Sequence, residues 1–163
     1  MTALQLVFVA SLSALLAAVV LFTALTVRTA LAARPAAGVG WRERLGQAGD
    51  RDVQRWAFVA HRASGVAVFA FLVLHVFDVG LYALSPARFD DVHELYGTAG
   101  MRVFECLLLF AILFHTFNGL RLVLLDVAEI RAATARRLLP VSIALAAVLG
   151  AAASVVILEP VVS

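Results

Sequence analysis

Residues 138–158 have the sequence LLPVSIALAAVLGAAASVVIL, a run of 21 residues without a charged side chain. A helix rises about 1.5 Å per residue, so this run is long enough to cross the roughly 30 Å hydrocarbon core of a bilayer. Arg136 and Arg137 precede the run, and we expect Pro140 in the first helical turn, where a missing N–H leaves no bond unmade. The run therefore predicts a transmembrane helix.

Residues 1–27 form a second uncharged stretch of sufficient length. A cleaved secretory signal is the alternative, because residues 30–32 (Ala-Leu-Ala) resemble a small-residue cleavage site. Such signals carry basic residues before a shorter apolar core, whereas Arg28 and Arg34 follow the core here. We therefore predict a retained N-terminal transmembrane helix over residues 1–33.

Two further hydrophobic stretches, residues 56–84 and 100–125, are interrupted by ionisable side chains. Such side chains are costly at membrane depth and usually face a bundle interior, a cofactor or a polar cavity. We therefore predict an all-α integral membrane protein with four transmembrane helices, the middle two of which carry the function.

The composition supports this fold class and excludes others. The chain is 63% hydrophobic and 15% charged, compared with roughly 45–50% and about 25% in soluble domains. Its single cysteine, Cys106, permits neither an intrachain disulfide nor a paired-cysteine motif. The net charge of +2 gives no indication of nucleic-acid binding.

The arginines predict the orientation, because basic residues concentrate in cytoplasmic connections. Eleven of the 13 arginines flank the first and third connections, and only Arg88 and Arg102 flank the second. We expect both termini outside, together with a short loop at residues 85–91 that forms about one helical turn. The basic connection over residues 34–55 is then cytoplasmic, and either binds lipid headgroups, which we favour, or docks a soluble partner.

The second stretch begins with HRASG at residues 61–65 and later carries His75 and Asp78. His61 and His75 are 14 residues apart, which places them within about 40° on one inward helix face. A titratable ring, a cation and a hydroxyl near the interface are suited to binding and protonating a ligand carbonyl. The alternative is an arginine extending to the headgroups beside a capping histidine.

The third stretch contains HTFNGLR at residues 115–121. His115 and Gly119 share a helix face, and a glycine one turn from an imidazole lets a flat ligand or a second backbone approach closely. Haem is one such ligand, since neutral imidazole is a standard axial donor for its iron. The alternative is an imidazole that is hydrogen-bonded to a neighbouring helix.

The depths of His75 and His115 in the membrane are predicted to differ. His75 is 13 residues, about 20 Å, from Arg62, whereas His115 is six residues, about 9 Å, from Arg121. If the two arginines mark one interface, His75 lies about 11 Å nearer the outside. The two imidazoles are then unsuited to bind the same iron, unless steep helix tilts erase the offset. The terminal spans contain no histidine and His93 is in the outer loop, so we expect the second axial ligand of a haem from another chain.

Residues 56–65, which end in His61-Arg62-Ala63-Ser64-Gly65, together with FHTFNGLR at 114–121 and Asp126, resemble the cytochrome b membrane-anchor subunit of succinate dehydrogenase, respiratory complex II. The resemblance covers residues 56–159. It implies that residues 1–163 form one membrane-anchor domain, in which residues 56–163 are the three-helix region of the family and the N-terminal helix is an addition.

The resemblance also implies cofactors and partners. It assigns His115 as an axial ligand of haem b, and places His61, Arg62, Ser64 and Asp126 at or beside the quinone site, with His61 also near the haem. The implied partners are an iron–sulfur subunit, a flavoprotein subunit and a second membrane-anchor chain that supplies the other haem ligand. This sequence departs from the family pattern at Phe58, often a serine, and at Leu122, often basic.

His75 is placed similarly to a haem-ligating histidine in the two-haem anchors of fumarate reductase and succinate dehydrogenase. The resemblance therefore allows one haem b or two, and in the second case Asp78 orients the His75 imidazole or meets a neighbouring helix. The alternative is that His75 is hydrogen-bonded to Asp78 or to another helix and binds no metal.

Two other functions stay open at this point. One is a b-type cytochrome anchor of a different respiratory enzyme. The other is a haem-free transporter or scaffold, in which four side chains form a polar relay: His75, Asp78, Glu105 and His115. In none of these cases is the chain itself the dehydrogenase, because binding an iron–sulfur cluster requires several cysteines.

Overall fold

The fold is known from a computed structural model that describes residues 1–32 and 41–162, and all side chains within them except those of residues 41–52, 132, 135, 161 and 162. The described part is helical and contains no strand. Its elements in order are α1 (Ala3–Ala32), α2 (Trp41–Leu84), α3 (Pro86–His93), a 3-10 turn (Glu94–Gly97), α4 (Ala99–Asp126) and α5 (Ala132–Val162).

Four segments are long and apolar enough to cross a membrane: Ala3–Ala32, Val53–Leu84, Ala99–Asp126 and Arg136–Pro160. Each long helix contains one of them. The predicted all-α integral membrane protein with four spanning helices is therefore confirmed.

The start of α1 is attached to the connection between α2 and α4. The Thr2 hydroxyl donates a hydrogen bond to the Asp91 carboxylate at 2.6 Å, and the Gln5 amide donates to the Asp91 carbonyl at 2.8 Å. An apolar cluster of Phe8, Leu74 and Val92 lies beside these bonds. We call the end of the bundle that contains these bonds the N-terminal end. The opposite end, where α1 ends and α2 begins, is called the arginine-rich end.

Helices α4 and α5 pack antiparallel along their length. Ser142 near the start of α5 donates from its hydroxyl to the Phe117 carbonyl at 3.3 Å, whereas Gly150 further along lies against the ring of Phe110. The absence of a side chain at Gly150 lets that ring approach the α5 backbone. The end of α5 therefore returns to the N-terminal end, beside the start of α4.

Three boundaries differ from the sequence predictions. Pro140 lies inside α5, which begins at Ala132, so the expected position in the first turn was wrong. The loop after Leu84 contains the eight-residue α3 and a 3-10 turn, more than the one turn expected. Helix α2 already begins at Trp41, because no proline interrupts the chain between Pro35 and Pro86. Of the predicted connection over residues 34–55, residues 34–40 lie outside the described part.

Candidate functional site

The two histidines of the HRASG and HTFNGLR motifs meet face to face between α2 and α4. The rings of His61 and His115 are parallel to within 4°, and their centroids are 4.1 Å apart. Two glycines permit this contact. A Cβ atom at Gly65 would lie 2.8 Å from Cε1 of His115, and one at Gly119 would lie 3.4 Å from Cε1 of His61. The Gly119 position thus accommodates a second imidazole, where the sequence predicted a flat ligand or a backbone.

Hydrogen bonding selects one tautomer of His115. Its Nδ1 atom lies 3.1 Å from the carbonyl oxygen of His61 and 3.4 Å from the Ser64 hydroxyl, which itself donates to the same carbonyl at 2.9 Å. A carbonyl oxygen only accepts, so Nδ1 of His115 carries the proton and donates it. The lone pair on Nε2 is then available to a metal, the arrangement that fixes histidine ligands in metal sites.

The chain fits a haem through one axial bond. Among the described side chains, no group of three or more His, Cys, Asp or Glu residues lies close enough together to hold a metal ion. A porphyrin supplies four iron ligands itself, so one oriented imidazole per chain is sufficient. His61 Nδ1, beside His115, is buried and without a hydrogen-bond partner in the described part, so a polar atom remains there that an additional group can satisfy.

The side chains of the HRASG motif are divided between two sides of α2. Ser64 is buried in the contact with α4, whereas the Arg62 side chain is exposed on the side facing α1. The Arg62 guanidinium carbon lies 5.4 Å from the centroid of the Phe22 ring and 5.3 Å from that of the Phe58 ring. Of the predicted group, the structure therefore brings His61 and Ser64 to His115 and directs Arg62 elsewhere.

Buried polar side chains follow His115 along α4 towards the arginine-rich end. The Arg121 side chain is buried and donates to the Gln54 side chain at 3.0 Å. Asn118 is only 1% exposed, and neither atom of its amide has a hydrogen-bond partner. Asn118 was expected in the motif without a role, and Gln54 was not expected at the site. Asp126 is exposed at the last position of α4.

The pairing of Arg121 with Gln54 corrects the predicted depth of His75. Arg121 lies level with Gln54, seven residues before His61 along α2, so Arg62 and Arg121 do not mark one interface. Because His61 and His115 are stacked, the offset of His75 is its 14-residue separation from His61, about 21 Å along the helix and not about 11 Å. Two axial bonds to one iron from His75 and His115 are therefore excluded.

His75 faces away from the rest of the chain, contrary to the inward orientation predicted for it together with His61. Its ring is exposed, stacks on Phe71 at 5.4 Å and makes no hydrogen bond to any described residue. Asp78 does not orient it. That carboxylate is 4% exposed and lies close to Tyr96 in the 3-10 turn, where burial and the charges of Asp78 and Glu105 raise the pKa of Tyr96 to about 12.

The four side chains of the transporter alternative do not form a relay. Glu105 pairs with Arg102 at 3.2 Å, and His115 is bonded to the backbone of α2. Among the described residues, His75, Asp78, Glu105 and His115 make no hydrogen bond with one another. A continuous proton path through them therefore has no support in this chain.

Fold and site together define a class of protein, a helical membrane subunit that presents one ligand-ready imidazole between two spanning helices. The family model for the succinate dehydrogenase/fumarate reductase transmembrane subunit matches residues 42–153, more than half of the sequence, and the chain belongs to that family. The resemblance stated from the sequence is confirmed. Helix α1 lies outside the matched residues.

One curated relative is the succinate dehydrogenase 2 membrane subunit SdhC of Mycobacterium tuberculosis. It is 39% identical to this chain over 75 residues, which is 46% of this chain and 55% of the relative. The chain thus aligns with little more than half the length of that relative. No solved structure matches the chain.

Proposed function

We propose that this chain is a membrane anchor of a succinate:quinone oxidoreductase that binds haem b through Nε2 of His115. The observation that carries the proposal is the bond between His115 Nδ1 and the His61 carbonyl, because it leaves Nε2 unprotonated and fixes the ring. Family membership supports the choice of enzyme. A bound haem supplies one-electron exchange between the iron–sulfur subunit and quinone.

The second axial ligand of this haem comes from another polypeptide. His61 is the described histidine at the level of His115, but its ring is stacked face to face with His115 and is not on the opposite side of an iron. His75 and His93 are far along the bundle. A second membrane-anchor chain packed against α2 and α4 therefore completes the haem site.

In this proposal, Arg62 is the residue that binds the quinone. Its guanidinium is exposed, carries a fixed charge and presents several N–H donors, which suits a quinone carbonyl and the negative charge that develops there on reduction. His61 and Ser64 lie on the adjoining side of α2, where they hold the haem ligand and can relay a proton. Asp126 is the acidic residue that the resemblance assigns to the site. It lies five residues beyond Arg121 towards the arginine-rich end, away from the level of Arg62, so in this proposal it does not contact the quinone carbonyl bound by Arg62.

The partners bind at the arginine-rich end in this proposal. The resemblance implies an iron–sulfur subunit and a flavoprotein subunit there, which pass to quinone the two electrons released when succinate becomes fumarate. The arginine distribution supports a cytoplasmic position for this end in a bacterial-type cell, with both chain termini outside. The connection over residues 34–55 belongs to the docking side or to the lipid headgroups, and the helix over residues 1–33 is an addition to the three-helix region over 56–163.

A second haem at His75 is part of the proposal. An imidazole that faces outward in the apolar span with no hydrogen bond is costly, so a group outside this chain has to satisfy it. Because His75 lies about 21 Å from the level of His115, a haem there is separate from the first.

The intact complex, purified through a tag on this chain, tests the proposal. We expect co-purifying iron–sulfur and flavoprotein subunits, a reduced-minus-oxidised b-haem spectrum and reduction of quinone by succinate. Arg62→Gln should lower quinone reduction and leave the haem content unchanged, whereas the matched control Arg88→Gln at the N-terminal end should leave both unchanged. A colourless complex contradicts the haem assignment, and equal loss of haem and activity in Arg62→Gln contradicts the quinone assignment.

A further inference from the structure

Helix α1 packs on the rest of the bundle along a single stripe. Its inward residues recur at alternating intervals of three and four, which is the spacing of a helix that follows a neighbour over its whole length. They are Gln5, Phe8, Leu12, Leu15, Val19, Phe22 and Thr26. The stripe starts at the Asp91 bonds of the N-terminal end and reaches Arg62 near the arginine-rich end. The packing of α1 along its whole length therefore determines that Phe22 contacts α2.

The Arg62 guanidinium lies over two aromatic rings. Phe58 precedes it by one turn on the same helix, and Phe22 comes from α1, with ring centroids 5.3 Å and 5.4 Å from the guanidinium carbon. Arg62 makes no hydrogen bond or ion pair with any described residue. A cation–π contact uses no hydrogen-bond acceptor, and Arg62 makes no hydrogen bond to a described residue, so its N–H donors stay available to a ligand.

The contribution of α1 is additional to the family-like region. Phe58 lies within the matched residues 42–153, whereas α1 precedes them. With Phe58 alone, the long Arg62 side chain retains rotamers that carry the charge away from the site, and holding such a side chain in one position costs conformational entropy on binding. The ring of Phe22 reduces the number of these rotamers before a ligand arrives.

We propose that Phe22 is a positioning residue for quinone reduction, and that α1 thereby completes the quinone site by holding Arg62 ready for the quinone carbonyl. The proposal rests on the proposed function of Arg62. Phe22 contacts Arg62 on the side of α2 that faces α1, whereas His61 and Ser64 meet His115 on the side that faces α4. Loss of Phe22 should therefore weaken quinone binding and leave the haem unchanged.

The test compares variants of the intact complex in steady-state reduction of a short-chain quinone by succinate. For Phe22→Leu we expect the apparent KM for quinone to rise on the order of two- to tenfold, as follows from a cation–π contact of about 0.5–1.4 kcal/mol. We expect kcat at saturating quinone, haem content and subunit composition to be unchanged. Phe22→Tyr keeps an aromatic face and should restore the original KM. Leu21→Ala is the matched control, because Leu21 is exposed on the same helix.

The same variants in an Arg62→Gln background separate the two proposals. If Phe22 acts through Arg62, Phe22→Leu causes no further rise in KM once the guanidinium is absent. An equal rise in both backgrounds overturns the inference, as does a KM in Phe22→Leu no higher than in Leu21→Ala. If Arg62→Gln alone leaves the KM unchanged, the proposed role of Arg62 fails. If Phe22→Leu lowers the yield of complex, the test uses the aromatic variants Phe22→Tyr and Phe22→Trp, whose KM values are compared with that of the wild type. A several-fold rise of the KM in both variants rejects the proposal.

Discussion

The two halves of the bundle differ in how they surround a histidine of the spanning helices, which is His115 in the arginine-rich half and His75 in the N-terminal half. In the arginine-rich half, His115 is bonded to the backbone of α2, stacked on His61 and fitted against Gly65. In the N-terminal half, His75 is exposed and its ring stacks on Phe71. The chain itself therefore fixes the orientation of the His115 imidazole, whereas the orientation of the His75 imidazole depends on a group outside the described residues.

Loss of the oriented ligand should have the largest effect. His115→Ala removes the Nε2 donor, and we expect the complex to lose one b-haem per chain entirely, measured by haem extraction and by the reduced-minus-oxidised spectrum. His93→Ala is the control, because that ring stacks on Phe89 and Tyr96 outside the spans. Unchanged haem content in His115→Ala would falsify the assignment of the ligand.

Replacing the exposed histidine tests the other half of the comparison. His75→Ala should lower the haem content from two per chain to one, and the remaining spectrum should be that of the His115 haem. The separation of about 21 Å along α2 makes the two losses independent. A wild-type complex with a single haem, unchanged by His75→Ala, shows that another chain satisfies this imidazole without iron.

The close contact at Gly65 predicts a graded effect. In Gly65→Ala the new Cβ meets Cε1 of His115 at 2.8 Å, so the ring or the helix has to move. Overpacking of this kind costs about 1–3 kcal/mol, and we expect haem affinity to fall about fivefold to a hundredfold. Gly80→Ala on the same helix is the matched control, since nothing lies within 4 Å of its Cβ position. Equal haem retention in the two variants contradicts the fitted geometry.

Asn118 offers a smaller effect on stability. Its amide is buried and unpaired, and removing an unsatisfied buried polar group recovers about 1–3 kcal/mol of desolvation free energy. We expect Asn118→Leu to raise the unfolding temperature of the isolated chain in detergent, and Asn118→Ala, which leaves a void, not to do so. A lower unfolding temperature in Asn118→Leu means that the amide has a partner after all.

The smallest effect concerns Tyr96 at the N-terminal end. Burial, with the nearby charges of Asp78 and Glu105, raises the pKa of Tyr96 to about 12 from its ordinary value of 10.0, because the ionised phenol is disfavoured in the folded chain. Its contribution to stability is therefore complete below pH 10 and is lost as the pH rises through about 12. Tyr82→Phe leaves Tyr96 as the single tyrosine for absorbance titration, and Asp78→Asn should lower its pKa. Titration at the ordinary value would contradict the described surroundings.

The number of spanning helices was predictable because apolar length alone determines it, whereas the role of His115 stays a prediction from its motif. The register between the helices was not predictable. Arg62 and Arg121 were expected to mark one depth, but α2 and α4 align where Gly65 and Gly119 admit the two rings. Likewise, Phe22 is one apolar residue among many in α1, and only the packing direction of that helix brings it to Arg62.

The fit of Gly65 against His115 also restricts how this sequence can diverge. As long as the imidazole is present, a methyl group at position 65 carries a penalty, so the two positions should change together among relatives. A relative that has lost the histidine is free to accept alanine or serine at the glycine. The identity of one residue on α2 can thus indicate, in an alignment, which members of the family still carry this packed imidazole.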